Sequence, residues 1–511
     1  MLSRVHTVGL DGIQAVAVEV EVDLSPGLPS LSIVGLPEGA VREAKDRVRA
    51  ALGNSGFQLP AKRIIINLAP AHLPKGGSSY DLPMAMGLLG AMGRLPVACL
   101  EGTVFFAELS LDGRLRGVPG SLPAALFAKK NRFPHLVVPK ENGFEAALTP
   151  DIQVYAPETL TELVRHLAGE AVLPPLPATD WRTWKEESTP EVPDLAEIKG
   201  QEHAKRALEI AAAGGHNMLM TGPPGSGKTF MARALPGILP EMTLDEALEV
   251  TAIHSVAGCL SQAKPFVAIR PLRTPHHTAS KNSLIGGGSY PRPGEISLAH
   301  HGVLFLDEIP EFSRTVLEVL REPLESGEAH ISRTSYTVRF PAKFQLLAAC
   351  NPCPCGFLGH SHRPCRCSQA QIIGYQGRLS GPLLDRIDLC VDVPSVAADI
   401  LIELPSGENS SSVRLRVEEA RRVQNQRNGI GVRNTELNGK ALQNHATLET
   451  TARQLLLDSG NRLGFSARAH SRLLRVARTI ADLAHSREIK GEHMAEAIQY
   501  RVGSGTWGKE M

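Results

Sequence analysis

A glycine loop between an apolar run and a helical run limits the fold of this chain more than any other segment. Asn217 to Met220 is short and mostly apolar. Thr221-Gly-Pro-Pro-Gly-Ser-Gly-Lys-Thr229 follows it directly, and Phe230-Met-Ala-Arg-Ala-Leu-Pro-Gly-Ile-Leu after that reads as a helix. In such a strand–loop–helix unit Gly222, Gly225 and Gly227 let the backbone curl. The N–H groups of Gly222, Pro224-flanked Gly225, Ser226 and Gly227 then point at phosphate oxygens, with Pro223 and Pro224 stiffening the turn. Lys228 reaches the terminal phosphates, and the Thr229 hydroxyl holds Mg²⁺. The loop predicts a parallel α/β sheet with a nucleoside triphosphate, ATP by default, at its edge.

A partner for the loop lies further on. Val303-Leu-Phe-Leu306 has the continuous apolar character of a buried parallel strand, and Asp307-Glu308 ends it, where open α/β sheets bind ligands. Asp307 is expected to hold Mg²⁺ through water, and Glu308 to polarise the attacking water. A third apolar run, Phe344 to Ala349, ends at Cys350-Asn351, where the Asn351 amide is placed to orient that water.

The chain has 511 residues, too many for one core, and about three domains are expected. Residues 1–172 alternate short apolar runs (Val16–Val22, Arg63–Leu68, Val104–Ala107, Leu136–Val138) with helical stretches at Glu38–Leu52 and Asp81–Met92, a mixed α/β pattern. Residues 173–194 carry Pro174, Pro175, Pro177, Pro190 and Pro193 and read as a linker. Residues 195–400 hold the nucleotide machinery. After the polar break Leu404 to Ser412, residues 401–511 read as a helical, basic lid. The net charge of +1 gives no global sign of nucleic acid, so any basic footprint must be local. No apolar run approaches the roughly 20 residues that span a bilayer, and the start of the chain lacks a secretory apolar stretch. A cytoplasmic protein is expected, in which the 8 cysteines serve as thiols or metal ligands.

Several longer motifs carry a family likeness. Arg273-Thr-Pro-His-His-Thr278, Ile285-Gly-Gly-Gly-Ser289, Pro291-Arg-Pro-Gly-Glu-Ile-Ser-Leu-Ala-His300 and Gly302-Val-Leu-Phe-Leu-Asp-Glu308 resemble the magnesium-chelatase ATPase subunit and the bacterial ComM (YifB) competence family, both of the AAA+ class. The resemblance implies that Asn351 is the residue called sensor 1. It implies that Arg386, in Leu383-Leu-Asp-Arg-Ile-Asp388, is an arginine finger donated to a neighbour's ATP, and that Arg468, in Ser466-Ala-Arg-Ala-His470, is sensor 2 on the lid. An always-charged guanidinium suits that work, because hydrolysis leaves negative charge on the γ-phosphate oxygens. A finger acting in trans implies a ring, expected to be a homo-hexamer.

The N-terminal region resembles the Lon-protease fold. Pro74-Lys-Gly-Gly-Ser-Ser-Tyr-Asp-Leu-Pro83 stands where Lon carries its nucleophile, with Ser79 near that serine. Lon's lysine partner is missing: Gly113-Arg-Leu-Arg-Gly-Val-Pro-Gly120 has none, and the next lysine is Lys129. A serine without a base is only a hydroxyl, so a non-proteolytic scaffold or DNA-facing ring is expected.

Cys353-Pro-Cys355 and Cys365-Arg-Cys367 lie in a short stretch with Gly356, Gly359 and Pro364. Four thiolates there suit a tetrahedral structural Zn²⁺, although CxC is tighter than the usual CxxC, and His360 or His362 is an alternative fourth ligand. Cys350 is expected in the core. Between Lys264 and His301 stand Arg270, Arg273, Lys281 and Arg292, with Glu295 and the Gly286–Gly288 run, read as a mobile loop that grips DNA phosphates without reading bases. His276-His277 are expected to point apart on a strand. The favoured reading is an ATP-driven hexameric helicase promoting branch migration of single-stranded or branched DNA during transformation. A chelatase motor inserting metal into a porphyrin and a protein remodeller are the alternatives from other classes.

Overall fold

The computed structural model describes residues 2–182, 184, 192–288, 290–332, 337–360, 363–396 and 407–502. The expected boundary at 400/401 and residues Ser289 and His362 lie outside them. A seven-stranded sheet organises the N-terminal region, in the order Ser30–Val34, Arg63–Ala69, Gln14–Ser25, Leu2–Asp11, Thr103–Phe105, His135–Val137, Gln153–Tyr155. The four apolar runs read from the sequence all fall on its strands. The first strand has no such run. Its buried positions include Ser3 and Thr7, so polar residues occupy inward sites and hide the period-2 pattern.

The second sheet has five strands, all parallel, in the order Leu272–Arg273, Val303–Leu306, Gln345–Cys350, Met218–Thr221, Leu389–Asp392. The three central strands are buried throughout, and alternation divides them between two cores. Met218, Met220, Phe305, Leu347 and Ala349 face one core; Leu219, Leu304, Leu306, Leu346 and Ala348 face the other. This is why the runs read as continuously apolar. The first core extends into the C-terminal helices through Val413, Leu473, Val476, Ile480, Met494 and Tyr500. The helical region is thus fastened to one face of the sheet, through helices Ser410–Asn428, Ala467–Leu483 and Gly491–Val502. The chain therefore has the expected mixed α/β class, with a parallel sheet and C-terminal helices.

The N-terminal region rests on the core by buried contacts. Leu10 and Ile13 pack with Val256, Ile331, Val338 and Phe340. The Ser255 hydroxyl donates to buried Glu145 and accepts from the Gly120 N–H at 3.1 Å. Trp181 of the Pro-rich segment lies 6.4 Å from Phe266, centroid to centroid. Among the described residues no helix is long and apolar enough to cross a membrane.

Candidate nucleotide and metal sites

The loop after Met218–Thr221 has the geometry its glycines require. Gly225 and Gly227 have φ of +78° and +92°, conformations that L side chains rarely adopt. Gly222 is needed for another reason: a Cβ there would lie 2.1 Å from the carbonyl oxygen of Val393. Helix Lys228–Ala234 follows. Lys228 is nearly buried, and its ammonium donates to the carbonyls of Gly222 (2.7 Å) and Pro223 (2.9 Å), with the Asn351 side-chain oxygen at 3.4 Å. Burial draws its pKa down, and the nearby Asp307 carboxylate opposes that. The Thr229 hydroxyl donates to Asp307 at 2.7 Å, which brings together the two groups expected to hold Mg²⁺.

Glu308 adjoins them, half exposed and with φ +50°. A non-glycine residue in that region costs on the order of 1–3 kcal/mol, and such strain is found mostly at functional sites. The cleft, about 410 Å³, is lined by Pro224 to Phe230, Asp307, Glu308, Cys350 and Asn351. Cys350 is buried, and burial pushes its thiol up to about 12.

Arg386 and Arg468 lie elsewhere. Asn217, just before the strand that leads into the phosphate loop, donates its side-chain amide to the Arg386 carbonyl at 2.9 Å. Four residues of strand, about 13 Å, separate that end from Gly222. Arg386 and Arg468 share a second cleft of about 760 Å³ with Arg433, Arg472, Arg475 and Glu325. Among the described residues none lines both clefts. Arg386 donates to the Pro382 carbonyl at 2.6 Å and pairs with Glu325.

The four cysteines converge. Cys353 Sγ is 3.4 Å from Cys355 and 3.6 Å from Cys365, and Cys355 is 3.6 Å from Cys365. Tetrahedral zinc with bonds of about 2.3 Å sets its sulfurs about 3.8 Å apart, so the group fits one Zn²⁺. The N–H groups of Cys355 and Cys367 donate to Cys367 and Cys365 sulfurs at 3.4 Å. N–H donors from Arg366 and Phe357 lower the Cys355 thiol to about 6. His360 is not among the converging ligands: its Nδ1 accepts from the Arg363 N–H at 3.2 Å, and its Nε2 lies 3.3 Å from the Ser395 hydroxyl.

The basic stretch needs four corrections. Arg270 is not a surface cation. It donates to the carbonyls of Pro240 (2.6 Å), His301 (2.7 Å) and Glu241 (3.2 Å) and to the Glu246 carboxylate (2.9 Å). Arg273 is partly exposed but engaged bidentately by Glu295, at 2.6 and 2.9 Å. The Gly286–Gly288 run is no open loop, since Gly286-Gly287 pairs antiparallel with Arg292-Pro293, and a Cβ on Gly286 would meet the Arg292 carbonyl at 2.2 Å. Arg292 on that hairpin and Lys281, at the start of the adjoining helix Lys281–Ile285, are exposed. His276 and His277 do not point apart either. The strand stops at Arg273, and their rings lie 4.1 Å from each other. His277 Nδ1 is 4.0 Å from a Glu308 oxygen, a neighbour of the general-base candidate that no sequence spacing indicated.

The chain is similar to known proteins along nearly its whole length. Residues 20–142 match the family described as subunit ChlI of Mg-chelatase, residues 194–401 that described as magnesium chelatase, subunit ChlI, and residues 407–501 its C-terminal part. The chain is 47% identical to the competence protein ComM of Haemophilus influenzae over 98% of this chain and 97% of that protein. It is 45% identical to YifB of Salmonella typhimurium over the same shares. With the magnesium-chelatase 38 kDa subunit of Cereibacter sphaeroides it shares 26% identity over 39% of this chain and 58% of that one. With near-complete coverage at such identity, the chain belongs to the ComM/YifB family of magnesium-chelatase-like AAA+ proteins.

Proposed function

We propose that the protein is an ATP-hydrolysing, hexameric DNA translocase of the cytoplasm that promotes branch migration when incoming DNA is recombined. The separation of the two clefts carries this reading. Lys228, Thr229, Asp307, Glu308 and Asn351 gather at one edge of the sheet. Arg386 and Arg468 stand beyond the other end of the strand Met218–Thr221. Arginines so placed line a different cleft from the chain's own phosphate loop and would reach the phosphates of a neighbour in a ring. ATP and Mg²⁺ would be held by residues 222–229 and Asp307. Glu308 would take the proton of the attacking water and Asn351 would orient it. Arg386 and Arg468 would stabilise the charge that develops in the adjoining subunit.

The name of the Haemophilus relative supports a role in competence, and that relative matches 98% of this chain at 47% identity, whereas the magnesium-chelatase 38 kDa subunit matches 39% of it at 26%. Lys281 and Arg292, exposed around the Gly286–Arg292 hairpin, are the cations best placed to meet phosphates. Zn²⁺ at Cys353, Cys355, Cys365 and Cys367 would be structural, closing the segment that begins two residues after Asn351.

The deciding measurement is ATP turnover with and without forked DNA, porphyrin partner subunits and unfolded polypeptide, followed by strand displacement on a labelled fork. Stimulation by DNA with strand movement is expected. Turnover that ignores DNA and moves no strand in the assembled ring would end the helicase reading.

A further inference from the structure

The turn that carries Arg386 is gripped from both sides by buried polar groups. On the core side, the Asn217 side-chain amide donates to the Arg386 carbonyl at 2.9 Å, and its backbone N–H donates to Asp388 at 3.2 Å. His216, fully buried, has Nδ1 3.4 Å from Asp388 and Nε2 2.8 Å from the hydroxyl of Thr479. Thr479 belongs to the C-terminal helix Ala467–Leu483. On the lid side, Arg472 of that helix lies 3.8 Å from Asp385 and 3.9 Å from Asp388, straddling Arg386. Arg501 of helix Gly491–Val502 donates to the Ile387 carbonyl at 3.1 Å and lies 3.8 Å from Asp385.

We propose that Arg472 and Arg501 are positioning residues through which the lid helices set the direction of Arg386, so that lid placement in one chain governs hydrolysis in the next. The proposal rests on the reading of Arg386 as a group acting in trans. Four residues, Asp385 to Asp388, form the turn; beyond its own backbone bonds and the Arg386 contacts with Pro382 and Glu325, it is held by His216-Asn217 on one side and by the two lid helices on the other. A lid that rotates against the sheet shifts the Arg472 and Arg501 contacts on either side of Arg386. Arg472 itself is nine-tenths buried, and its Nη1 makes no hydrogen bond among the described residues. It faces two carboxylates from beyond hydrogen-bonding distance. A small shift of the lid would close one of those gaps, which is the behaviour of an adjustable contact rather than a locked one. The phosphate loop stands at the far edge of the sheet, so nucleotide binding and hydrolysis should separate.

The test measures nucleotide affinity and saturated ATP turnover for Arg472→Ala, Arg472→Lys, Arg501→Ala and Arg386→Ala, with the double variants Arg386→Ala/Arg472→Ala and Arg386→Ala/Arg501→Ala. Misplacing a catalytic group by about 1 Å costs on the order of 100-fold, so kcat should fall about 10- to 100-fold in Arg472→Ala and Arg501→Ala, with ATP affinity within about two-fold of wild type. Arg472→Lys should recover part of the loss. The double variants should turn over no more slowly than Arg386→Ala alone, since an aiming contact is worthless without the group it aims. Unchanged kcat in Arg472→Ala and Arg501→Ala would overturn the proposal. So would losses that add to those of Arg386→Ala, or that come with weaker ATP binding and lower melting temperature, because those mark a merely structural role. Full turnover by Arg386→Ala would instead remove the trans reading beneath it.

Discussion

Arg270→Met separates a structural arginine from a DNA contact. Its guanidinium satisfies three backbone carbonyls from two loops and one carboxylate, at 2.6 to 3.2 Å, and the side chain is only 15% exposed. Removing it takes the guanidinium from Glu246, which keeps the Thr243 N–H at 3.1 Å, and leaves the carbonyls of Pro240, Glu241 and His301 short of a donor. Breaking a buried charge pair costs about 3–5 kcal/mol, and each stranded buried acceptor about 1–3 kcal/mol. Some of those acceptors regain water, so the terms do not sum. A loss of about 3–5 kcal/mol is the expectation, enough to lower the melting temperature by roughly 10 °C in a domain of this size. The assay is thermal and urea unfolding of the full chain, read beside DNA affinity as a function of salt. If Arg270→Met melted like wild type but lost about one unit of salt slope, the guanidinium would be meeting phosphate, and the structural reasoning would fail.

Other perturbations sort the remaining roles. Lys228→Ala should abolish nucleotide binding, whereas Glu308→Gln should bind ATP and stall; wild-type turnover by Glu308→Gln would remove it as the base. Metal analysis of the purified protein should find about one zinc per chain, lost on Cys353→Ser plus Cys365→Ser, and a metal-free wild type of full activity would dismiss the site. Lys281→Ala and Arg292→Ala should each weaken DNA binding uniformly across sequences and flatten the salt slope by about 0.9, leaving ATP affinity intact; slopes that stay unchanged would move the DNA path elsewhere.

What the sequence revealed and concealed follows from the range of the interactions. The phosphate loop was legible because its chemistry is contiguous: Gly222 to Thr229 carries strand end, turn and helix start in one stretch. The acidic pair Asp307-Glu308 was legible for the same reason, as was the convergence of cysteines two and ten residues apart. Arg270 was misleading because its partners lie some 30 residues away and three of them are carbonyl oxygens, which carry no side-chain signal. The neighbouring Arg273 finds a carboxylate 22 residues on, and nothing in its spacing shows it. A count of cations along a segment therefore overstates the basic surface, since burial turns some of them into backbone clamps. His277 escaped notice because its place beside Glu308 depends on where the strand Leu272–Arg273 stops.

On the proposed ring reading, the same contrast accounts for one chain holding half of two active sites. A parallel sheet gives its C-terminal edge to the phosphates, because the loops and helix N-termini that bind anions all emerge there. Its N-terminal edge has no such function and is free to be built from long-range contacts, here between His216-Asn217, the Asp385–Asp388 turn and two lid helices. Arg386 and Arg468 stand at this second edge among further arginines, where a single chain gains little from concentrating like charges around the carboxylates of Glu325, Asp388 and Glu436. Arg472 and Arg475 both have their pKa drawn down, with burial as the main cause, the sign that holding the positive charge there is unfavourable. In the proposed ring, an anion presented by another subunit would relieve that condition and so favour assembly. Assembly and catalysis would then draw on the same arginines. On this account Arg386→Ala should weaken ATP-dependent ring formation as well as hydrolysis, while Lys228→Ala, which removes the nucleotide, should do so even with every arginine intact. Sedimentation of the two variants with and without ATP compares them directly, and rings of Arg386→Ala as stable as wild type at all protein concentrations would show that the arginines serve chemistry alone.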